Sequence, residues 1–538
     1  MSYLAPSTSS VQSTEIIAQG AICGESQRQS LPTAWIHILD DYSLINIFYL
    51  YRPPIFDGDE NDDFRTFGGK KWDRERWWHK LTKVCQRWRN LILGSSNYLG
   101  LCLVCKWGTP VADMLAHSPP LPLVIDYFDT TARIDEGIIP ALEQLHRVRR
   151  VRLYMEAPKL QKLIMDIDGE YPVLEYLILV TSAEYESPAL KLPEAFEAPH
   201  LRHLLLIGFV PPIGSRLLMT AVGMVTLGLY MQNPSAYFQP DILLGCLSFM
   251  PQLETLLITI LFPISDHVER QLLDTPITTR VTFPNLYWFQ FHGSGAYMEA
   301  VVHQITAPRL EKLNILLFSH FNRLTLSVPH LLQFMNTTKN LRFDSATFEF
   351  SLYRVFVRLY LREEAEVYTL PMTVIYLGPL RMLQVSSVAQ IFNSLSQKLS
   401  TVENLSLECE ASFEVPEVDP AEWRKLLRSF RCVKTLSVDS WLVEEVARCL
   451  ELDDGEHPLE VLPELQELKY TGGDDIGDVL TPFIDARQNA GRPVALFLPR
   501  TSVTPLSRIS SPGSSESSGA MTGSSEAGSS EAGSDLDT

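Results

Sequence analysis

A short pattern of apolar positions recurs along this chain of 538 residues. It runs apolar, two polar or mixed residues, apolar, one residue, apolar, as in Leu201, Leu204 and Leu206. The last two apolar positions lie two residues apart, so they share one face of a β-strand. Copies start at Val148, Leu174, Leu201, Met224, Leu253, Leu286 and Leu310, and again at Val402, Val433 and Leu465. The spacing of the first seven is near the roughly 20–29-residue period of leucine-rich repeats.

Helices are predicted between some of these strands. Asp419 offers an N-cap and Pro420 a first-turn proline. An i, i+3, i+4, i+7 stripe follows at Trp423, Leu426, Leu427 and Phe430, and a similar stripe comprises Val388, Phe392, Leu395 and Leu399. Helix and strand in alternation predict an α/β fold, an irregular leucine-rich-repeat-like solenoid over residues 109–500 with parallel strands inside and helices outside. The alternative is a compact α/β domain with chance matches, and residues 341–400 fit the repeat poorly.

The alternation of side chains along a strand gives a specific prediction for one repeat. Leu204 and Leu206 should point into the core, with His203 and Leu205 facing the other way. On an open concave face, Leu205 should be partly exposed.

The N-terminal region predicts two amphipathic helices. The first spans 39–51, can be capped by Asp40 or Asp41, and carries a stripe of Leu44, Ile47, Phe48 and Tyr51. The second spans 76–93 and should stop at Gly94. Between them, residues 52–76 hold a Pro pair, a Gly pair and an acidic run, which predicts an inserted loop.

These two helices resemble an F-box. That motif typically reads L-P-x-E, two hydrophobic residues, x-x-I-F, and later V-C-x-x-W. Here the first half runs from Leu39 to Phe48 and the second reads Val84-Cys85-Gln86-Arg87-Trp88. Asp40 replaces the motif proline, and the spacer between the halves is longer than in a compact F-box. The chain as a whole is similar to the fungal F-box proteins with degenerate leucine-rich repeats, with the F-box-like helical module over residues 31–108.

The resemblance implies a function. Such a chain would be the substrate-recognition subunit of a Skp–cullin–F-box ubiquitin ligase, binding the Skp adaptor through the module and an unknown protein substrate through the repeats. Carried over by motif position, the adaptor-binding residues are Leu39, Leu44, Ile47, Phe48, Val84, Cys85 and Trp88. For Trp88 the alternative is simple packing in the module's own core. For the whole chain the alternative is a non-catalytic repeat scaffold without ligase function.

The composition and charge of the chain narrow the class of protein further. The chain is 46% hydrophobic with a net charge of −19, which is typical of a globular protein and disfavours nucleic-acid binding. Residues 1–30 and the Ser/Gly/acidic residues 501–538 are predicted to be disordered. Eight scattered cysteines indicate a reducing cytoplasmic or nuclear compartment. No secretory signal or uninterrupted membrane-spanning stretch is visible, so no membrane partner is expected.

Enzyme motifs are absent from the sequence. There is no phosphate-binding Gly-rich loop and no G-x-S-x-G elbow. Cys102 and Cys105 form a C-x-x-C, but no second pair completes a zinc set, and apolar neighbours favour core cysteines. We therefore predict a protein that is not an enzyme and has no catalytic residues, metal or cofactor.

Overall fold

The computed structural model describes most of the chain between residues 38 and 497. The described residues are 38–53, 76–128, 138–165, 169–181, 188–262, 264, 267, 277–318, 328–351, 354–361, 373–377, 384–410, 419–451, 459–471 and 477–497. The predictions for residues 1–30 and 501–538, and for nearly all of the loop at 52–76, lie outside them.

Within those residues, sixteen strands form one sheet, nearly all of it parallel. The strands are β1 (Leu103–Lys106), β2 (Leu123–Phe128), β3 (Val148–Met155), β4 (Tyr176–Thr181), β5 (His203–Ile207), β6 (Thr226–Met231), β7 (Thr255–Ile260), β9 (Trp288–Ser294), β11 (Lys312–Phe318), β12 (Ser345–Ser351), β13 (Arg354–Tyr360), β14 (Thr373–Leu377), β15 (Asn404–Cys409), β16 (Thr435–Asp439), β17 (Glu467–Thr471) and β18 (Ala495–Phe497). Two short strands, β8 (Val281–Thr282) and β10 (Ile305–Thr306), pair separately.

The repeated apolar positions are aligned across the sheet. Leu179 is level with Leu206, Leu206 with Leu229, and Leu229 with Ile258. The opening apolar position of each copy, such as Leu174 and Leu201, is also fully buried. Each repeat thus contributes the side chains at the same three positions to one continuous core. The predicted parallel α/β repeat is confirmed.

Helices pack against the same side of the sheet as these leucines. They are α1 (Asp41–Tyr51), α2 (Trp78–Leu81), α3 (Gln86–Gly94), α4 (Ser96–Leu99), α5 (Val111–His117), α6 (Ile138–Leu142), α7 (Ala157–Met165), α8 (Arg216–Thr220), α9 (Pro240–Leu247), α10 (Gly295–Val302), α11 (Pro329–Thr337), α12 (Gln384–Asn393), α13 (Ser396–Leu399), α14 (Pro420–Leu427), α15 (Val443–Leu450) and α16 (Gly477–Asn489). Their buried residues belong to the same hydrophobic cluster as the core-facing strand positions. None of the helices in the described residues is long and apolar enough to cross a membrane.

Two of the predicted helices are confirmed in detail. The Asp419 carboxylate accepts a hydrogen bond from the Ala421 amide at 2.9 Å, so it caps α14, and Pro420 is the first helical residue. All members of the predicted stripes before β15 and before β16 are buried. Burial of these stripes fixes the helices onto the sheet.

The stretch that fits the repeat poorly contains a reversal of the chain. β12 is antiparallel to β13, and β13 is antiparallel to β14. The spatial order is β11-β14-β13-β12-β15, so β14 rather than β12 lies beside β11. This antiparallel insert replaces the helix-and-strand unit of the repeat, which explains why the repeat pattern is missing there.

Candidate protein-interaction site

The start of α1 is held by its two aspartates. Asp40, which replaces the proline of the F-box motif, is the N-cap, and it accepts hydrogen bonds from the Ser43 amide at 2.8 Å and the Ser43 hydroxyl at 3.0 Å. These bonds lower the pKa of Asp40. Asp41 accepts two hydrogen bonds from the Arg87 guanidinium, at 2.6 and 3.0 Å. Arg87 also donates to the Leu39 carbonyl, so the two motif halves are tied together despite the long spacer.

The prediction of a single second helix over residues 76–93 is wrong, because the structure has two helices there. The chain forms α2, leaves the helical conformation at Cys85 with φ −158° and ψ 169°, and starts again as α3. The Thr82 hydroxyl donates to the His79 carbonyl at 3.0 Å, and β-branched Thr82 and Val84 have low helix propensity. The predicted stop is confirmed, because α3 ends at Gly94.

The seven predicted adaptor residues divide by burial. Leu44 and Phe48 are fully buried, and Phe48 meets the ring of Trp88 edge to face with centroids 4.9 Å apart. The half-buried members are Leu39, Cys85 and Trp88, and the exposed members are Ile47 and Val84. Leu44 and Phe48 therefore support the module from inside, while Ile47 and Val84 are available to a partner. The assignment of the adaptor site itself stays a prediction.

The outward side of α1 is apolar. Ile47, Leu50 and Tyr51 lie three and four residues apart, share one side of the helix, and are 45%, 82% and 58% exposed. A surface helix of a globular protein normally turns polar residues to solvent. Val84, at the turn before α3, adds another exposed apolar side chain at 59%. Such exposed apolar surface is typical of a protein-binding site.

The module is joined to the first repeat. Leu44, Phe48, Trp78 and Ile92 belong to the same cluster as Leu103 of β1. Arg76 donates to the Val104 carbonyl of β1 at 3.1 Å. β1 is the first strand of the sheet, so the helices cover an end of the core that would otherwise be open.

The second face of the sheet, opposite the helices, is called the open face below. It is formed by the alternate strand residues. In the described residues it carries two apolar clusters, which contain strand residues and Cys102, just before β1, and have no helical members. One cluster comprises Cys102, Val104 and Val124; the other comprises Ile178, Val180 and Leu205, flanked by Tyr154, Tyr176, Ile207 and Tyr230.

The predicted exposure of Leu205 is wrong. Leu205 faces away from Leu204 and Leu206 as expected, yet it is only 1% exposed. Gly228 is level with Leu205 on β6 and has no side chain, and the Leu205 methyl group fills that space. Neighbouring strands, not helices, bury it.

Polar groups on the open face bond to one another across strands. Arg152 forms two hydrogen bonds with the Asp126 carboxylate, at 2.6 and 2.8 Å, and both side chains are buried. Gln290 donates to the Tyr230 hydroxyl and accepts from the Asn314 amide, each at 3.2 Å. Between these strands the Thr259 hydroxyl is buried and has no hydrogen-bond partner among the described residues.

The C-terminal part of the open face is acidic. A groove of about 440 Å³ lies over β12, β15 and β16, lined by Glu349, Ser406, Leu407, Glu408, Cys409, Glu410, Ser437 and Asp439. Arg358 pairs with Glu349 and lies 3.8 Å from Glu408. The groove therefore carries four carboxylates, of which Glu349 and Glu408 share one guanidinium.

The cysteines fit the core interpretation. Cys105 lies in the main core and Cys102 in an open-face cluster, so the C-x-x-C spans two sides of the sheet. The seven cysteines within the described ranges are all free thiols. Across the described ranges, no group of three or more His, Cys, Asp or Glu side chains is arranged to hold a metal ion.

No protein-family model and no curated protein matches this chain. Among solved structures it is similar to the leucine-rich repeat-containing protein LegL7 from Legionella pneumophila, at 12% identity and a TM-score of 0.25, over 71% of this chain and 96% of that one. The leucine-rich-repeat-like architecture therefore rests on the strand register and core described above.

Proposed function

We propose that this chain is a non-catalytic substrate receptor of a Skp–cullin–F-box ubiquitin ligase. The helical module would bind the Skp adaptor, and the repeats would hold a protein substrate. The observation that carries the proposal is the exposed apolar side of α1, located in the segment that resembles the first half of an F-box. Chemistry would occur on other subunits, and this chain would raise the local substrate concentration, to the mM range for a short flexible tether.

Burial supports a division of labour among the proposed adaptor-binding residues. Ile47 and Val84 are the exposed members of the motif set and would contact the adaptor directly, and Leu50 and Tyr51 would extend the apolar surface of Ile47. Leu44, Phe48 and Trp88 would act by holding α1 against α3. Replacing Phe48 would therefore confound loss of binding with loss of folding.

Binding of the purified full chain to a purified Skp adaptor tests the proposal. Ile47→Asp should weaken binding by about 30-fold, since a central interface anchor often contributes about 2 kcal/mol. Val222→Asp is the matched control, because Val222 is 56% exposed but lies in the repeats. It should leave adaptor binding unchanged, and both variants should keep the wild-type melting temperature.

A second candidate function is a repeat scaffold outside any ligase. The large open sheet face and its acidic groove favour protein interaction without requiring an adaptor. If the wild-type chain fails to bind the adaptor while its sheet remains folded, the scaffold function replaces the receptor function.

A further inference from the structure

Two differently built regions share the open face of the sheet. The central region, over β4 to β7, presents aromatic and aliphatic side chains, of which Tyr176, Ile207 and Tyr230 are only partly buried. The acidic groove lies toward the C-terminal end of the same face, over β12, β15 and β16. A ligand lying across the strands could contact both regions.

The central region also holds an unpaired polar group. Thr259 is 2% exposed, lies level with Tyr230 on one side and His292 on the other, and its hydroxyl has no hydrogen-bond partner among the described residues. Buried hydroxyl groups are usually satisfied. Beside it, Gln290 and Asn314 form a chain of amide hydrogen bonds that can be extended to a polypeptide backbone.

The charge of the groove indicates the charge of the ligand that it would bind. Other carboxylates in the C-terminal repeats are matched by cations: Glu403 by Lys434 at 2.6 Å, and Glu467 by Lys469 at 3.1 Å. In the groove, Glu410 and Asp439 have no ion-pair partner among the described residues, and Arg358 is shared by Glu349 and Glu408. Such an excess of negative charge favours a basic ligand and repels nucleic acid.

We propose that the open face binds an extended polypeptide segment with an apolar or aromatic anchor at one end and Lys or Arg residues at the other. The anchor would contact the central region, and the cations would enter the acidic groove. Eight strand steps separate β5 from β15. At about 4.8 Å per step, the span is about 38 Å, or about 12 residues of extended chain. The proposal names the substrate class of the proposed receptor and rests on that function only for the fate of the bound protein.

Two synthetic 16-residue peptides test this inference on the full chain. Both carry the same Leu/Phe-containing half; the second half holds four Arg in one peptide and four Glu in the other. The Arg peptide should bind at least about tenfold more tightly than the Glu peptide, and its affinity should fall as salt rises. Equal binding of both peptides, or tighter binding of single-stranded RNA, would overturn the proposal.

Variants locate the two contacts. Glu408→Gln combined with Glu410→Gln should weaken the Arg peptide about tenfold, and Ile207→Ala should weaken both peptides. Glu403→Gln is the matched control, since its carboxylate is already paired with Lys434 outside the groove. Unchanged affinity in the double variant would place the peptide elsewhere. Adaptor binding is measured separately through Ile47, so either proposal can fail while the other stands.

Discussion

Leu205 on β5 occupies the space that the missing side chain of Gly228 leaves on β6. The two residues are level across the parallel pair, and a Cβ atom at position 228 would collide with the Leu205 Cδ1 atom. Leu205 is therefore buried on a face that no helix covers in the described part of the chain.

Adding a methyl group at Gly228 should destabilise the protein. We expect Gly228→Ala to lower the free energy of unfolding by about 1–3 kcal/mol, because overpacking moves a buried leucine off its rotamer. Leu205→Ala alone should cost about 2–3 kcal/mol through lost burial. In the double variant the two costs should be less than additive, which chemical denaturation of all four proteins measures. Strict additivity would show that the two side chains do not share one space.

The Asp40 cap should protect α1 locally. Asp40→Ala should speed hydrogen exchange of the α1 amides, and Asp40→Asn should largely preserve protection, because an amide oxygen can also accept from Ser43. The folded-state pKa of Asp40 lies below its ordinary value near 3.8, so the contribution of the carboxylate is present above that value and is lost as pH falls through the lowered pKa. Acidification should therefore reduce the difference in opening free energy between wild type and Asp40→Ala to the part that a neutral acceptor retains, and Asp40→Asn should not show this pH dependence. A difference that does not change with pH would contradict the carboxylate's role.

The buried ion pair of Asp126 and Arg152 should be intolerant of single changes. Asp126→Leu should cost about 3–5 kcal/mol, because it leaves the buried guanidinium without its carboxylate. The double variant Asp126→Leu, Arg152→Met should recover much of that loss. Urea denaturation compares the three proteins. A double variant that is no more stable than Asp126→Leu alone would contradict this expectation.

Cysteine reactivity should follow burial. Burial raises the pKa of Cys246 and Cys105 to about 11 and that of Cys449 to about 12, so their thiolate fractions at pH 8 are about one in a thousand or less. Cys432 is exposed. A brief iodoacetamide pulse on the native protein, read by mass spectrometry, should label Cys432 and spare the other three. Labelling of Cys449 at a comparable rate would indicate local opening of α15.

The sequence predicts most of what is repetitive in this fold. The spacing of Leu201, Leu204 and Leu206 is local, and each copy meets its neighbour in the same register, so the core could be anticipated. The burial of Leu205 could not, because alternation assigns a face but not the neighbour across it. The antiparallel insert could not be predicted for a related reason. Phe348 and Phe350 alternate as a strand should, but alternation does not show that β13 is antiparallel or that Leu407 lies level with Phe348.

At the candidate adaptor site, motif position singles out a segment but does not show which of its side chains are exposed. Phe48 and Ile47 are adjacent in sequence, yet packing against Trp88 turns Phe48 inward and leaves Ile47 outside. The break at Cys85 follows β-branched Thr82 and Val84, but the apolar spacing from Leu81 to Trp88 continues across it and predicts one helix. The open-face groove combines residues from three strands, and single repeats carry no signal for it.

The antiparallel insert has a consequence for the order in which the protein folds during synthesis. Elsewhere neighbouring strands are close in sequence: Val151 and Leu177, level on β3 and β4, are 26 residues apart. Ile315 and Ile375 are 60 residues apart, and Phe348 and Leu407 are 59 apart. The edge of β11 therefore stays unpaired until the ribosome has released β14, and long-range closure of this kind is slow. Translation of this stretch should be the interval in which the nascent chain is most prone to aggregation and most dependent on chaperones.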